Sequence, residues 1–185
     1  MNKYLKWLII VVPFILVLIF ITIALLLSNK EEEVKIINKE FVTKDGRVTF
    51  SADAKYVSSD KGEYDLYLNK DKKQIVGIFT YNLSEYEEKT DKEILDKQVG
   101  GFIESRKNTT LLKKESTIEM DDKKITKIEY SGKTDKSSEC VYIFSVITFT
   151  NDPNYVIYVN EVILKSNYEK NISEMISILK SAKLN

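Results

Sequence analysis

From Trp7 to Leu27 the chain runs 21 residues without a charge, interrupted only by Pro13 and Thr22. A helix of that length spans about 31 Å, the thickness of a bilayer's hydrocarbon core. Lipid offers no hydrogen-bond partners, so a segment this apolar must close its own backbone bonds as a helix. Pro13 falls in the second turn, where it bends a helix without ending the span. Tyr4 and Trp7 suit the membrane interface, with Lys3 and Lys6 just outside it. On the far side Lys30 is followed at once by Glu31, Glu32 and Glu33. Since cytoplasmic flanks carry the excess of Lys and Arg, the N-terminus is expected inside and the remainder exported. The alternative is a cleaved signal peptide. Thr22-Ile23-Ala24 is a poor cleavage site, and the run exceeds the 7–15 residues of a usual signal core. The expected organisation is residues 1–6 cytoplasmic, 7–27 a transmembrane signal anchor at the cell membrane, 28–39 a polar stalk, and 40–185 an extracytoplasmic domain.

Composition supports this division. The 28 basic and 28 acidic residues cancel, yet residues 1–30 hold three lysines and no acid, leaving the rest net acidic. The remaining basic groups are scattered, without the basic stripe of a nucleic-acid binder. There is no histidine, hence no imidazole base, histidine metal ligand or histidine pH sensor. A lone cysteine, Cys140, makes no internal disulfide and no thiolate cluster. No cofactor is expected.

Past residue 39 strand and hairpin signals follow one another. Residues 40–44 and 47–51 flank Asp45-Gly46, a dipeptide suited to a two-residue hairpin turn. Residues 63–69 and 74–81 flank a second turn at 70–73, and 111–120 and 123–131 meet at Asp121-Asp122. Residues 140–150 and 155–164 meet at the turn 151–154. Two helices interrupt the series. Thr90 and Glu93 form a capping box ahead of an apolar face of Ile94, Leu95, Val99, Phe102 and Ile103. Ser166 can cap a second helix carrying Ile172, Met175, Ile176 and Leu179. In 141–149 and 155–159 both alternating sets are largely apolar, the pattern of strands covered on both faces. With one helix on each face the fold is α+β, an α/β/α sandwich around a central antiparallel sheet.

Lys44–Phe50, Asp65–Lys70, Ile75–Thr80, the capped Thr90 helix, Lys124–Tyr130, the long strand pair and Ile178–Lys183 together resemble the Mog1/PsbP-like group. Within it they are most similar to small bacterial PsbP-related surface domains of unknown function, lipoproteins or membrane-anchored. The resemblance covers about residues 41–184 and rests on structural motifs. It implies the same sandwich and a non-catalytic docking or assembly role. Three positions depart from the pattern: Tyr56 stands where a tryptophan often follows the first hairpin, Asp121-Asp122 replaces an Asn-Gly turn, and Ser181-Ala182-Lys183 replaces Ser-Phe-Lys.

Candidate chemistry is sparse. Cys140 opens an apolar strand with no histidine to activate it, and reads as a structural thiol. Ser177 and Lys180 match Ser-x-x-Lys only near the end of a helix, without the turn such a nucleophile needs. Gly100-Gly101 lies inside the first helix and is expected to allow close helix–sheet packing. Acids at Glu85, Glu87, Glu88 and Asp91 precede a helix N-terminus, where the dipole favours them, and offer at best a weak cation site. Tyr64, Tyr67 and Tyr81 on the second hairpin are the candidate binding surface, exposed tyrosine being suited to protein or glycan contact. The expected function is a non-catalytic binding or assembly module of the bacterial cell envelope. Its partners are membrane lipid, through the N-terminal helix, and an envelope protein or wall component. The alternatives are an envelope hydrolase using only carboxylates, with Glu85, Glu87, Asp91, Glu119 and Glu129 as candidates, or a purely structural subunit of a membrane complex.

Overall fold

The computed structural model describes residues 38–71, 73–106, 108–134 and 137–185. The expected anchor with Trp7, Pro13 and Leu27, the flanking Lys3 and Lys6, and most of the expected stalk lie outside the described residues. Among the described residues no helix is long and apolar enough to cross a membrane. The first strand, β1 (Asn38–Val42), begins two residues inside the segment expected as stalk.

Seven strands form one antiparallel sheet: β3 (Val57–Ser58), β4 (Leu66–Lys70), β5 (Gln74–Asn82), β6 (Thr110–Glu119), β7 (Lys123–Lys133), β8 (Glu139–Phe149) and β9 (Asp152–Leu164). Their spatial order is β3-β4-β5-β9-β8-β7-β6. The chain leaves β5 through α1 (Asp91–Ser105), re-enters at the far edge and returns by three hairpins until β9 pairs with β5. The two strands apolar on both sides, β8 and β9, are therefore central. Val141, Ile143, Ile147 and Phe149 of β8 face one core, and Cys140, Tyr142, Phe144 and Val146 the other.

The first hairpin does not extend this sheet. Strands β1 and β2 (Val48–Asp53) form a separate three-stranded sheet with β10 (Lys183–Leu184). Together with α2 (Tyr168–Ser181) it covers the first face. Tyr56, at the position where the family pattern has tryptophan, is 1% exposed in that core, and its hydroxyl donates to Met175 Sδ at 3.4 Å. Helix α1 covers the second face through Ile94, Leu95 and Val99. One helix per face is thus correct, but the first face is shared with a second small sheet.

Local chemistry explains the boundaries. Thr90 Oγ1 accepts the Glu93 N–H at 3.1 Å while Glu93 accepts the Thr90 N–H at 3.2 Å, a complete capping box. Asp121-Asp122 is the two-residue turn expected, closed by the Met120 N–H donating to the Lys123 carbonyl. The Asp45-Gly46 turn is longer than expected. Only Gly46 takes a positive φ (75°), and Thr43 closes a loop to Val48. The β8–β9 turn sits earlier than 151–154, because Phe149 opposes Asp152 across a bulge. Ser166 lies in a 3-10 turn, and Asn167 stands at the α2 N-cap without a side-chain bond. Ile103 is 40% exposed and off the packed face of α1.

Gly100 and Gly101 do not serve close packing, since a Cβ built at either meets nothing within 4 Å. They simply cost helix propensity, about 1 kcal/mol each, which α1 offsets by burying three apolar side chains at about 1.5–3 kcal/mol each. Alanine at either position is expected to raise the melting temperature by about 2–3 °C. Thermal unfolding of the two variants checks this, and a drop would mean that another group covers the helix there.

Candidate functional site

A cleft of about 570 Å³ opens where the β1–β2 turn meets the ends of β4, β5 and β9. The turn supplies Asp45 and Arg47, the approach to β4 supplies Glu63 and Asp65, and β5 supplies Phe79, Thr80, Tyr81 and Asn82. Glu85, Tyr86 and, from β9, Tyr155 complete the lining. Four carboxylates thus face one guanidinium, among four aromatic rings. Arg47 stacks on the Tyr155 ring with Cζ 3.9 Å from its centroid and pairs with Asp152 at 2.6 Å.

Three of the four carboxylates are held in place. Asp45 accepts from Thr43 Oγ1 (2.6 Å), from the Arg47 N–H (3.0 Å) and from the Tyr155 hydroxyl. Partial burial pushes the Asp45 carboxyl up, but these bonds and the Arg47 charge outweigh it, so it lies below the usual aspartate range. The Tyr155 phenol moves up, through burial first and then its bond to Asp45. Asp65 accepts from the Thr80 N–H at 2.7 Å and the Thr80 hydroxyl at 3.0 Å. Glu85 accepts from Asn82 Nδ2 at 2.8 Å.

Of the three candidate tyrosines only Tyr81 lines the cleft, where its ring meets Tyr86 edge-on at 5.0 Å and its hydroxyl accepts from Gln98 at 3.1 Å. Tyr64 and Tyr67 stand beside it. Their rings are 5.3 Å apart, and Tyr64 continues to Phe79 at 4.6 Å, so Phe79 joins the tyrosine pair to the cleft. Gly77 makes room for this packing: a Cβ there would fall 2.3 Å from Tyr64 Cε1. Asp45, Arg47, Asp65, Tyr86 and Tyr155 went unrecognised in the sequence because they read as turn and strand residues. Only the fold brings the ends of distant strands together.

The other candidate acids do not converge. Glu88 pairs with Lys97, Asp91 pairs with Lys124 at 2.8 Å, and Glu87 and Glu119 are exposed. Among the described residues no three acidic or thiol side chains are grouped to hold a metal ion. Cys140 is 1% exposed and burial pushes its thiol up, against a weaker opposing pull from Arg106. Ser177 Oγ donates to the Ser173 carbonyl at 2.8 Å within α2.

Glu129 instead belongs to an enclosed polar cluster on the first face of the sheet. It is fully buried, as is Glu161, and Lys127 is 8% exposed. Lys127 donates to Glu129 Oε1 at 2.5 Å, and the Tyr168 hydroxyl donates to Oε2 at 2.5 Å. Both oxygens of Glu161, and the nearby Ser145 Oγ, are buried without a hydrogen-bond partner. Burial holds the Glu161 carboxyl well above the usual range, with Lys127 pulling down and Glu129 pushing up. A sequence signal for it exists: Glu161 falls in register with the inward-facing Tyr155, Ile157, Val159 and Ile163.

No protein-family model matches the chain, and no curated protein matches it by sequence. Solved structures do share its fold. PsbP from the cyanobacterium Synechocystis sp. PCC 6803 matches 83% of this chain and 96% of its own at 10% identity, with a TM-score of 0.56. The Ran-binding protein Mog1p of Saccharomyces cerevisiae matches 81% and 96% at 15% identity, with a TM-score of 0.52. LpqN of Mycobacterium tuberculosis, described as involved in cell envelope biogenesis, matches 85% and 96% at 6% identity, with a TM-score of 0.56. The described residues therefore have the Mog1/PsbP fold, as the sequence resemblance implied.

Proposed function

We propose that this chain is a single-pass membrane-anchored protein whose extracytoplasmic domain is a non-catalytic binding module of the cell envelope. We further propose that its cleft receives a cationic segment of a partner protein. The observation that carries the reading is the cleft lining: carboxylates exceed cations four to one beside aromatic faces, the surroundings a lysine or arginine side chain favours. The apolar run Trp7–Leu27, with Lys3 and Lys6 before it, supports the anchor and its orientation. A described role in envelope biogenesis for LpqN and in Ran binding for Mog1p supports, on the same fold, an envelope setting and a protein-binding use. The separate partners taken by Glu85, Glu88 and Asp91 speak against paired-carboxylate hydrolysis.

The test applies a fluorescent lysine-rich peptide, with a neutral wall-glycan fragment in parallel, to intact cells carrying the full chain. The peptide is expected to bind and to be released by salt. The surface variant Glu63→Gln/Glu85→Gln/Tyr86→Ala should weaken it about tenfold, the equivalent of about 1.4 kcal/mol. Equal binding by the variant, or preference for the glycan, would overturn the cationic-segment reading. Binding seen only in opened cells would overturn the topology.

A further inference from the structure

The enclosed cluster between the sheet and α2 holds two carboxylates and one fully committed cation. Glu129 on β7 and Glu161 on β9 both lie opposite Ile143 of β8, so they share one row of one face, about 10 Å apart in backbone. Lys127 is spent on Glu129, whose second oxygen takes the Tyr168 hydroxyl. Lys113, about half exposed, approaches the same oxygen at 3.8 Å and bonds Tyr168. Glu161 has nothing. A charge placed on it would be uncompensated in a closed apolar setting, so the folded state keeps a proton there.

We propose that Glu161 is a proton-controlled latch for α2. With the proton in place Lys127 stays on Glu129, and Tyr168, the first residue of α2, is anchored. When alkaline solvent removes the proton, a bare carboxylate is left in the core that α2 covers, and the water that must enter to solvate it loosens the packing of α2 on the sheet. The charged surroundings reinforce this direction. Toward Glu161 from β7 come Lys127 and Glu129, and from the β2–β3 connection comes Tyr56. Beyond Tyr56 stand Asp53 of β2 and Glu174 of α2, both negative, with Lys70 of β4 bridging them. Beyond Glu129 stand Lys113 of β6 and, near Tyr168, Glu169 of α2. The unfolded chain releases the Glu161 proton from about pH 4.5 upward, whereas the folded chain retains it. The contribution of Glu161 to stability is therefore complete at acid pH and declines as pH rises above that value.

The latch is independent of the cleft and is tested on the purified full chain in neutral detergent. Amide exchange of 165–181, corrected for intrinsic rates, is followed from pH 5 to pH 9 in the natural protein and in Glu161→Gln. Exchange in the natural protein is expected to rise by up to about tenfold per pH unit, and the variant should lack this rise. A carbon-13 titration of the Glu161 carboxyl in the natural protein supplies a readout that does not depend on the variant folding. Identical exchange profiles, or a carboxyl midpoint near 4.5, would overturn the proposal.

Discussion

Replacing Lys127 with methionine is expected to lower the melting temperature by about 10 °C. The side chain is 8% exposed, and its ammonium is the cation bound to Glu129, which is fully buried. Removing one member of a buried pair strands the other charge at a cost of about 3–5 kcal/mol. Tyr168 contributes one hydrogen bond and no charge, and Lys113, half exposed and 3.8 Å from Glu129, compensates only in part. The double variant Lys127→Met/Glu129→Met should recover most of the loss, since apolar replacements for a buried pair are often neutral. Thermal unfolding of the single and double variants decides. A single variant within about 1 kcal/mol of the natural protein would show that Glu129 is not held as a charge by Lys127.

The elements were legible where local chemistry decides them. Thr90 and Glu93 announce α1 because the capping box is complete within four residues. The double apolarity of 141–149 and 155–159 placed β8 and β9 in the sheet centre because burial on both faces leaves no other composition. The separate small sheet was not legible. β10 is two residues long, and its pairing with β2 spans more than 130 positions, so no periodicity records it. Gly100-Gly101 misled for a related reason: a glycine pair reads as a close approach, and only the structure shows that the space beside it is empty.

The site was legible in part. Tyr81 is in the cleft, and Tyr64 and Tyr67 are next to it, because aromatic residues on one hairpin face stay together whatever the rest of the chain does. Asp45 and Arg47 come from the β1–β2 turn, and their place beside Tyr155 joins positions 110 apart in the chain, which no local pattern records. Glu161 shows the converse. A lone acid in the inward register of a central strand breaks the local rule that such positions are apolar, and that breach is what a buried functional or strained group looks like in sequence.

Tyr155 joins core and cleft, and its truncation should damage both. The residue is 4% exposed, its ring carries the Arg47 guanidinium, and its hydroxyl donates to Asp45. Tyr155→Ala is expected to cost about 3–5 kcal/mol, by the cavity left in the first core, and to lower the melting temperature by about 10 °C. It also removes the surface on which Arg47 rests, so peptide binding should fall with it. Tyr155→Phe separates the two effects: the ring and the Arg47 stacking stay, and the hydroxyl goes, with its bond to Asp45 and its hydrogen bond with Thr80. Because Asp45 is solvent-exposed, that bond is worth about 1 kcal/mol. Its contribution has a definite pH signature. The carboxyl lies below its ordinary value of 3.8 in the fold, so the stabilisation is present above that pH and is lost as pH falls through the lower, folded value. The difference in melting temperature between the natural protein and Tyr155→Phe should therefore be full at pH 7 and shrink in strong acid. A difference that stays constant from pH 7 downward would mean that the hydroxyl acts through packing and not through the Asp45 carboxylate.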